Sequence, residues 1–339
     1  MSSSSFQAAT TAFRKTFDVA PKNIAKWFPT HMYTGMKDMQ RKLKSVDCVL
    51  ELHDARVPLS GRNPHFLSML AAIKPHVLLL NKSDLANSEL KATVVEQLRE
   101  QGTQNVLHIR STDPFRNINR IVPLVADLIC QSERYNRQEV YDYNIMVIGI
   151  PNVGKSSLIN ALRTMHLGRT GKATRVGAKA GVTMKVLERI KISEDPLMYL
   201  LDTPGILSPA TNDLHTALQL ALCGCMLDHL VGNVLMADYL LYWLNQQHNY
   251  SYVDYLGLDG PCDDIRLVLY KTAINMRVLN KVRSYDGWSL RPNLEAAATN
   301  FIQGFRKGLL GRITFLPNLG KADLVPKFLL GDDRHECSN

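Results

Sequence analysis

Eight residues constrain the fold of this chain more than any others: the run GIPNVGKS at residues 149–156. It fits the pattern G-x-x-x-x-G-K-[ST], in which a glycine-rich loop turns its backbone N–H groups toward phosphate oxygens. An apolar run at residues 145–148 precedes it and a helical pattern follows it, which is the strand-to-helix setting that the pattern requires. We therefore expect a phosphate-binding loop, built from Asn152, Val153, Gly154, Lys155, Ser156 and Ser157.

Two of these residues, and a second motif, have predicted roles in chemistry. Lys155 places a positive charge on the outer phosphates, and the Ser156 hydroxyl is a candidate ligand of Mg²⁺. The motif Asp202-Thr203-Pro204-Gly205 follows the apolar run at residues 199–201. We expect Asp202 to hold the same metal through water and Gly205 to donate its N–H to the terminal phosphate, so that loss of this phosphate releases the segment.

A third motif predicts which base is bound. Asn81-Lys82-Ser83-Asp84 follows the apolar run at residues 77–80. The Asp84 carboxylate can accept hydrogen bonds from the ring N1–H and the exocyclic amine of guanine, and Asn81 can bond the purine edge and a neighbouring loop. The stem of Lys82 can cover the ring face. Alone, this motif is also compatible with a turn and a helix cap, but together the three motifs predict GTP binding and hydrolysis.

The order of these motifs along the chain is unusual. In ordinary GTPases the phosphate loop comes first and the base-reading motif last, whereas here residues 81–84 precede residues 149–156, which precede residues 202–205. This order indicates a circular permutation. Because loops at the carboxyl ends of parallel strands meet at one edge of a sheet, the pocket depends on where the loops lie and not on chain order. Ser111 and Thr112, after the run at residues 106–109, are expected to complete the base pocket.

The segment between the phosphate loop and Asp202 is basic. Residues 163–187 hold six Lys and Arg residues, four glycines and no acid, which predicts a loop. Thr183 is the candidate switch residue whose hydroxyl reaches Mg²⁺ when the terminal phosphate is present. The lack of acids favours contact with RNA phosphates over a loop that is merely solvated.

The hydrophobic pattern predicts the fold class. Between residues 45 and 205, near-continuous apolar strands alternate with amphipathic helices, which predicts an α/β fold with a mostly parallel, doubly wound sheet. A more charged run at residues 186–192 is expected to form an edge strand. Beyond residue 212 the patterns are helical, one of them spanning residues 265–282, so we expect an all-α C-terminal domain.

Five segments are expected along the chain. Residues 1–20 are Ser-rich, amphipathic and free of acids before Asp18, which is typical of a mitochondrial transit segment, although a flexible terminus is an alternative. A basic segment at residues 21–45 follows. The remaining segments are a circularly permuted GTPase domain at 46–212, a helical C-terminal domain at 213–330 and a flexible tail at 331–339.

The formal net charge of +9 is unevenly distributed. Residues 1–46 carry eight bases against two acids, residues 163–187 six against none, and residues 265–312 nine against two. The remainder is acidic, so the second and third segments are where we expect RNA phosphates to bind. Six cysteines without repeated spacings indicate a reducing compartment, and no apolar run reaches the roughly 18 residues of a membrane span.

Several segments resemble the YlqF-type circularly permuted GTPases. Besides the three motifs and Gly181-Val182-Thr183, they include Trp27-Phe28-Pro29-Thr30-His31-Met32 and Asp54-Ala55-Arg56-Val57-Pro58. The resemblance covers nearly the whole chain and implies GTP or GDP with Mg²⁺ as ligands. It implies a factor that binds the mitochondrial large ribosomal subunit and its rRNA late in assembly, in the matrix, and leaves on GTP hydrolysis. It also implies that the helical domain at 213–330 is an rRNA-binding domain. Peripheral contact with the inner membrane is compatible with it, and we expect a monomer when the protein is free.

The resemblance also suggests how hydrolysis proceeds. Ile206 stands where Ras-like enzymes carry the Gln that orients the attacking water, which predicts slow hydrolysis by the free protein and stimulation by the ribosome. Family resemblance points to His31 as general base or orienter of this water, although Thr30 replaces the usual Gly. Packing of His31 against Trp27 and Phe28 is the alternative.

Two further residues have expected roles. Asn152 resembles the Asn that ligates K⁺ in related GTPases, where the ion can replace an arginine finger. Arg56 is expected to pair with a carboxylate and hold the loop after the first strand.

The leading hypothesis is thus a Mg²⁺-dependent GTPase whose nucleotide state controls docking on mitochondrial large-subunit rRNA. A GTP-dependent RNA-binding module or translation regulator with little turnover is the alternative. An ATPase or kinase would share the phosphate loop, but it would not explain residues 81–84.

Overall fold

The computed structural model describes residues 13–17, 43–62, 74–113, 117–134, 137–168, 189–202, 213–284 and 287–316. The predicted site residues His31, Thr183 and Gly205 lie outside these ranges. So do most of the basic loop at residues 163–187 and the predicted tail at 331–339.

A mostly parallel sheet forms the centre of the first two thirds of the chain. Its strands are β1 (Cys48–Asp54), β2 (His76–Asn81), β3 (Val106–His108), β4 (Tyr143–Gly149), β5 (Arg189–Glu194) and β6 (Leu197–Asp202). Among the described residues the strand order is β3-β2-β1-β4-β6-β5. Only β5, at the edge, runs antiparallel to its neighbour. The predicted fold class and the charged edge strand are confirmed.

Strand β1 is buried along its whole length although it carries charged residues. The Glu51 carboxylate lies 2.9 Å from Nη2 of Arg62 and 3.1 Å from Nε2 of His76. Burial acts to raise the pKa of Glu51, but the hydrogen bond and charge of these two partners hold it well below its usual range. A charge can therefore lie in the middle of this sheet because it is paired there.

Helices cover the sheet and form most of the remaining chain. The first group is α1 (Lys91–Glu100), α2 (Ile121–Cys130) and α3 (Lys155–Leu167); the second is α4 (Leu214–Leu222), α5 (Asp228–Val231), α6 (Asn233–Gln246), α7 (Ser251–Leu256), α8 (Ile265–Asn275) and α9 (Leu294–Arg306). Asp213, Asp264 and Asn293 begin α4, α8 and α9 by accepting hydrogen bonds from first-turn N–H groups. None of the helices within the described ranges is both long and apolar enough to cross a membrane.

One apolar cluster joins the sheet to the second group of helices. It extends from Leu50 in β1 and Val147 in β4 to Leu240 in α6 and Phe301 in α9, all of which are fully buried. Burial of this apolar surface is the main favourable contribution to folding, and here it is shared by both parts of the chain. The boundary between residues 212 and 213 stays a prediction.

The C-terminal part is helical, as predicted, but it also contains a β-hairpin. Strand β7 (Leu279–Ser284) pairs with the antiparallel strand β8 (Gly287–Pro292). The predicted helix at residues 265–282 instead ends at Asn275, where Arg277 adopts a φ of 56° and the N–H of Val278 bonds the carbonyl of Ala273. A non-glycine residue takes the left-handed position at this helix end, so the usual glycine signal is missing.

Residues 13–17 pack against α6. The ring of Phe17 is 5% exposed and lies 5.1 Å from the ring of Tyr239, measured between centroids. Arg14 pairs with Asp238 at 2.8 Å and with Asp263 at 3.1 Å. These contacts fall within the predicted transit segment 1–20, so removal of that whole segment would also remove them.

Candidate functional site

The phosphate loop lies between β4 and α3. Helix α3 begins at Lys155, and Gly154, directly before it, has a φ of 102°. This left-handed conformation favours glycine, and a Cβ at this position would collide with Nδ2 of Asn81. Both the backbone conformation and the available space therefore require glycine at position 154.

Lys155 is 8% exposed and held at the loop. Its Nζ donates to the carbonyl oxygens of Gly149 at 3.0 Å and Ile150 at 2.9 Å. Ser156 and Ser157 follow in the first turn of α3, where backbone N–H groups lack helical partners and favour anions. An ammonium group and a helix N-terminus at one place fit a chain of phosphates.

A single amide connects the phosphate loop to the loops after β2 and β3. Asn81, at the end of β2, donates from Nδ2 to the carbonyl of Val153 at 2.6 Å. Its Oδ1 accepts from the N–H of Ser111 at 2.9 Å. The base-reading motif and the phosphate loop therefore do meet at the carboxyl edge of the sheet, and Asn81 bonds a neighbouring loop as expected.

The other predicted base-reading residues lie beside Asn81. The partly exposed Asp84 carboxylate is 3.5 Å from Nε of Arg110, which also donates to the Thr112 hydroxyl at 3.0 Å. Lys82 adopts a φ of 57°, and its Nζ lies 3.0 Å from the carboxylate of Asp54. The structure thus brings Lys82, Asp84 and Thr112 to one end of β2 and β3.

Asp54 forms a buried ion cluster. It is fully buried and accepts two hydrogen bonds from the Arg56 guanidinium, at 3.0 and 2.8 Å, in addition to its pair with Lys82. Burial acts to raise the pKa of Asp54, but the charges of Arg56 and Lys82 hold it well below its usual range. The predicted pairing of Arg56 with a carboxylate is confirmed.

Arg56 extends this cluster to the helical part. Its guanidinium carbon lies 5.0 Å from the ring centroid of Phe305 in α9, which is a cation–π distance. The carbonyl of Arg56 also accepts from the N–H of Phe315 at 2.7 Å. The loop that holds Lys82 is therefore tied to the C-terminal helices.

The phosphate loop makes a second contact with the helical part. Nδ2 of Asn152 donates to the carbonyl of Gly224, in the turn between α4 and α5, at 2.7 Å. Arg306 supports the same turn by donating to the carbonyl of Leu222 at 2.9 Å and pairing with Asp228 at 2.7 Å. Ligation of K⁺ by Asn152 stays a prediction.

Two of the three predicted metal ligands, Ser156 and Asp202, lie within the described residues. Ser156 lies in the first turn of α3, and Asp202 ends β6, where its backbone pairs with Val147 of β4. This register places Asp202 beside the strand that leads into the phosphate loop. Thr183, Gly205 and His31 lie outside the described residues, so their predicted roles are not addressed by the structure.

Sequence reasoning assigned no role to two residues that touch this site. Asp54 holds the Lys82 ammonium, and the carbonyl of Gly224 holds Asn152. A signal for Asp54 does exist, because it is an acid at the carboxyl end of a strand directly beside β2. Nothing in the sequence around Gly224 indicates a contact with the phosphate loop.

Comparison with known proteins identifies the family. A family model described as 50S ribosome-binding GTPase matches residues 144–258. Mitochondrial ribosome-associated GTPase 1 from Xenopus tropicalis is 51% identical over 304 residues, which cover 88% of this chain and 96% of that protein. The chain belongs to the mitochondrial ribosome-associated GTPase 1 family. It is a GTPase, and its resemblance to the YlqF-type enzymes is confirmed.

Two further similarities extend this assignment. Ribosome biogenesis GTPase A from Bacillus pumilus is 34% identical to this GTPase over 228 residues, covering 66% of this chain and 76% of that protein. The crystal structure of GNP-bound YlqF from T. maritima matches with a TM-score of 0.53 and 20% identity, covering 83% of this chain and 97% of that one, and supports the fold. The family model begins in β4 and so omits residues 81–84, as expected for a permuted chain.

Substitution of Gly154 tests the crowded contact with Asn81. We expect Gly154→Ala to weaken GDP binding by at least about 100-fold, because the new Cβ displaces Asn81 and the loop together. Gly102→Ala is the matched control, since Gly102 also has a positive φ, of 85°, but nothing lies within 4 Å of its added Cβ. It should cost about 1 kcal/mol of stability and leave GDP affinity unchanged. Titration with a fluorescent GDP derivative measures both variants, and near-normal binding by Gly154→Ala would contradict the interpretation.

Acid unfolding tests the Asp54 cluster. Asp54→Asn leaves the Arg56 and Lys82 charges without their counter-ion, so we expect a loss of about 3 kcal/mol in unfolding free energy near neutral pH. Because the folded-state pKa of Asp54 is lowered, its contribution is present above about pH 4 and is lost as pH falls. The difference in unfolding free energy between wild type and Asp54→Asn should therefore become smaller as the pH approaches about 3.

Urea unfolding across this pH range gives the comparison. Asp127→Asn, at an exposed position of α2, is the control and should change stability by less than about 0.5 kcal/mol at any pH. Equal losses in the two variants, or a difference that stays constant with pH, would show that the cluster does not stabilise the fold.

Proposed function

We propose that this GTPase is an assembly factor for the mitochondrial large ribosomal subunit, which binds rRNA in a nucleotide-dependent way and is released on GTP hydrolysis. The observation that carries the proposal is the hydrogen bond of 2.7 Å from Asn152 of the phosphate loop to Gly224 of the helical part. A nucleotide site bonded directly to a second, basic part of the chain is what a nucleotide-controlled binding protein needs. The names of the relatives, mitochondrial ribosome-associated GTPase 1 and ribosome biogenesis GTPase A, support the ribosomal partner, and the first supports the mitochondrial location.

In the proposed site, the residues predicted from the sequence keep their predicted roles. Asn81, Lys82, Asp84, Ser111 and Thr112 hold the base, and residues 152–157 with Gly205 hold the phosphates. Ser156, Thr183 and Asp202 would hold Mg²⁺. The positive charge of this ion would stabilise the negative charge that develops on the phosphates during hydrolysis. Asn152 would ligate K⁺ in addition to donating from its Nδ2 to the carbonyl of Gly224.

Hydrolysis is proposed to be slow in the free protein. Ile206 offers no group that could orient water, so His31 takes this role once the ribosome has positioned the N-terminal segment. The alternative function, a GTP-dependent RNA-binding module or translation regulator with little turnover, is favoured by the same Ile206. Ribosome-stimulated turnover separates the two.

The basic segments complete the proposal. Residues 163–187 and 265–312 contact rRNA phosphates, and residues 1–20 serve import into the mitochondrial matrix. The free protein is a monomer. Any contact that it makes with the inner membrane is peripheral and on the matrix side.

Two measurements on the full chain test this function. Co-sedimentation with mitochondrial large subunits should be strong with a non-hydrolysable GTP analogue and weak with GDP, and equal binding in both states would contradict the switch. GTP turnover should rise by about 100-fold or more when subunits are added. His31→Ala should lose this stimulation, whereas His229→Ala, at an exposed position of α5, should keep it. Absence of stimulation in the wild type would favour the low-turnover alternative.

A further inference from the structure

The β7–β8 hairpin places cations and large apolar side chains on the same face. In an antiparallel pair, directly opposed residues share a face, and so do residues two apart along a strand. The register sets Arg283 opposite Trp288 and Lys281 opposite Leu290. These four residues, together with Leu279, therefore form one surface, which we call the hairpin face.

The hairpin face is open to solvent. Trp288 is 71% exposed, Leu290 60% and Leu279 42%. Lys281 and Arg283 are exposed as well. Large apolar side chains that cluster on an exposed surface usually indicate a binding site.

The cations of the hairpin differ from other basic residues of the same segment. Arg306 forms an ion pair with Asp228, and Lys271 forms one with Asp259 at 2.6 Å, so both charges already have partners within the protein. Lys281 and Arg283 form no ion pair with any carboxylate in the described part of the chain. Strands β7 and β8 also contain no acid. Residues 279–292 hold three bases against one acid, Asp286 between the two strands, so the hairpin carries a net positive charge that attracts a polyanion.

The combination of aromatic and cationic groups favours one class of ligand. Single-stranded RNA offers an unstacked base for the indole and a phosphate on either side of that base. Duplex RNA also offers phosphates to the cations, but its bases stay stacked inside the helix and cannot stack on the indole. We propose that the hairpin face binds single-stranded RNA, with Trp288 stacked on an unpaired base and Lys281 and Arg283 on adjacent phosphates.

This proposal rests on the proposed docking to rRNA and names the surface and the RNA conformation that docking uses. It explains why the chain keeps an exposed Trp on a hairpin in an otherwise helical part. It also divides the basic segment 265–312 into charges that are paired within the protein and charges that face a partner.

Binding of the full-length protein to a fluorescent oligouridylate, measured by anisotropy, tests the stacking. Trp288→Ala should weaken binding about ten-fold or more, while Trp288→Phe, which keeps an aromatic ring, should retain most of the affinity. Tyr141→Ala removes another aromatic residue, which is 95% exposed on the loop before β4. This variant should bind the oligouridylate with the affinity of wild type. Equal affinities for Trp288→Ala and Tyr141→Ala would overturn the proposal.

The salt dependence of the same binding tests the cations. Arg283→Glu should lower the slope of log affinity against log salt concentration by about one or more. Arg99→Glu, on the exposed face of α1, changes the net charge equally and should leave the slope as in wild type. Equal slopes for the two variants would contradict the assignment of Arg283 to a phosphate.

Co-sedimentation separates failure of this proposal from failure of the proposed function. If wild type binds large subunits in the GTP-analogue state and Trp288→Ala binds them equally, the hairpin proposal fails and the assembly function stands. If wild type does not bind subunits, the assembly function fails, whatever the oligouridylate titrations show.

Variants that keep RNA binding but lose binding to phosphatidylcholine vesicles containing cardiolipin would identify a lipid surface and overturn the RNA assignment. Normal GDP binding in each variant confirms that it is folded.

Discussion

The nucleotide site depends on the side-chain amide of Asn81. An amide can donate and accept at once, so one buried side chain holds the carbonyl of Val153 and the N–H of Ser111 together. A carboxylate would lose the donor, and an apolar residue of the same size would leave both backbone groups unsatisfied. The contact joins residues 72 positions apart in the chain, which is why the permuted order of the motifs does not matter once the sheet has formed.

Two polar paths lead from this site into the helical part. One runs from Lys82 through Asp54 and Arg56 to Phe305, and the other from Asn152 to the turn that contains Gly224. Buried charges and polar groups are costly when they lose a partner, so a loop that moves must carry its partner with it or break the contact. These contacts therefore give the proposed nucleotide switch a route to the C-terminal helices in addition to the covalent connection after β6.

Much of the fold could be predicted from the sequence because its signals are local. Strands β2 and β4 contain continuous apolar runs, and the motifs at Asn81 and Gly149 directly follow these runs, whereas the buried strand β1 also carries the charged Glu51 and Asp54. Contacts set by tertiary packing had no such signal. The Asn152–Gly224 bond and the Arg306–Asp228 pair link distant segments, and a count of charges cannot distinguish a paired arginine from an exposed one. The hairpin was missed because the helix before it ends without a glycine.

The central claim is that residues 81–84 read the base of a nucleotide whose phosphates are held by residues 149–156. Xanthine carries a carbonyl oxygen where guanine carries its exocyclic amine, so an amide at position 84 can donate where the carboxylate accepted. The decisive measurement is therefore the affinity of wild type and Asp84→Asn for GDP and for xanthosine diphosphate. Wild type should prefer GDP, and the variant should reverse that preference. A variant that still prefers GDP would contradict the claim.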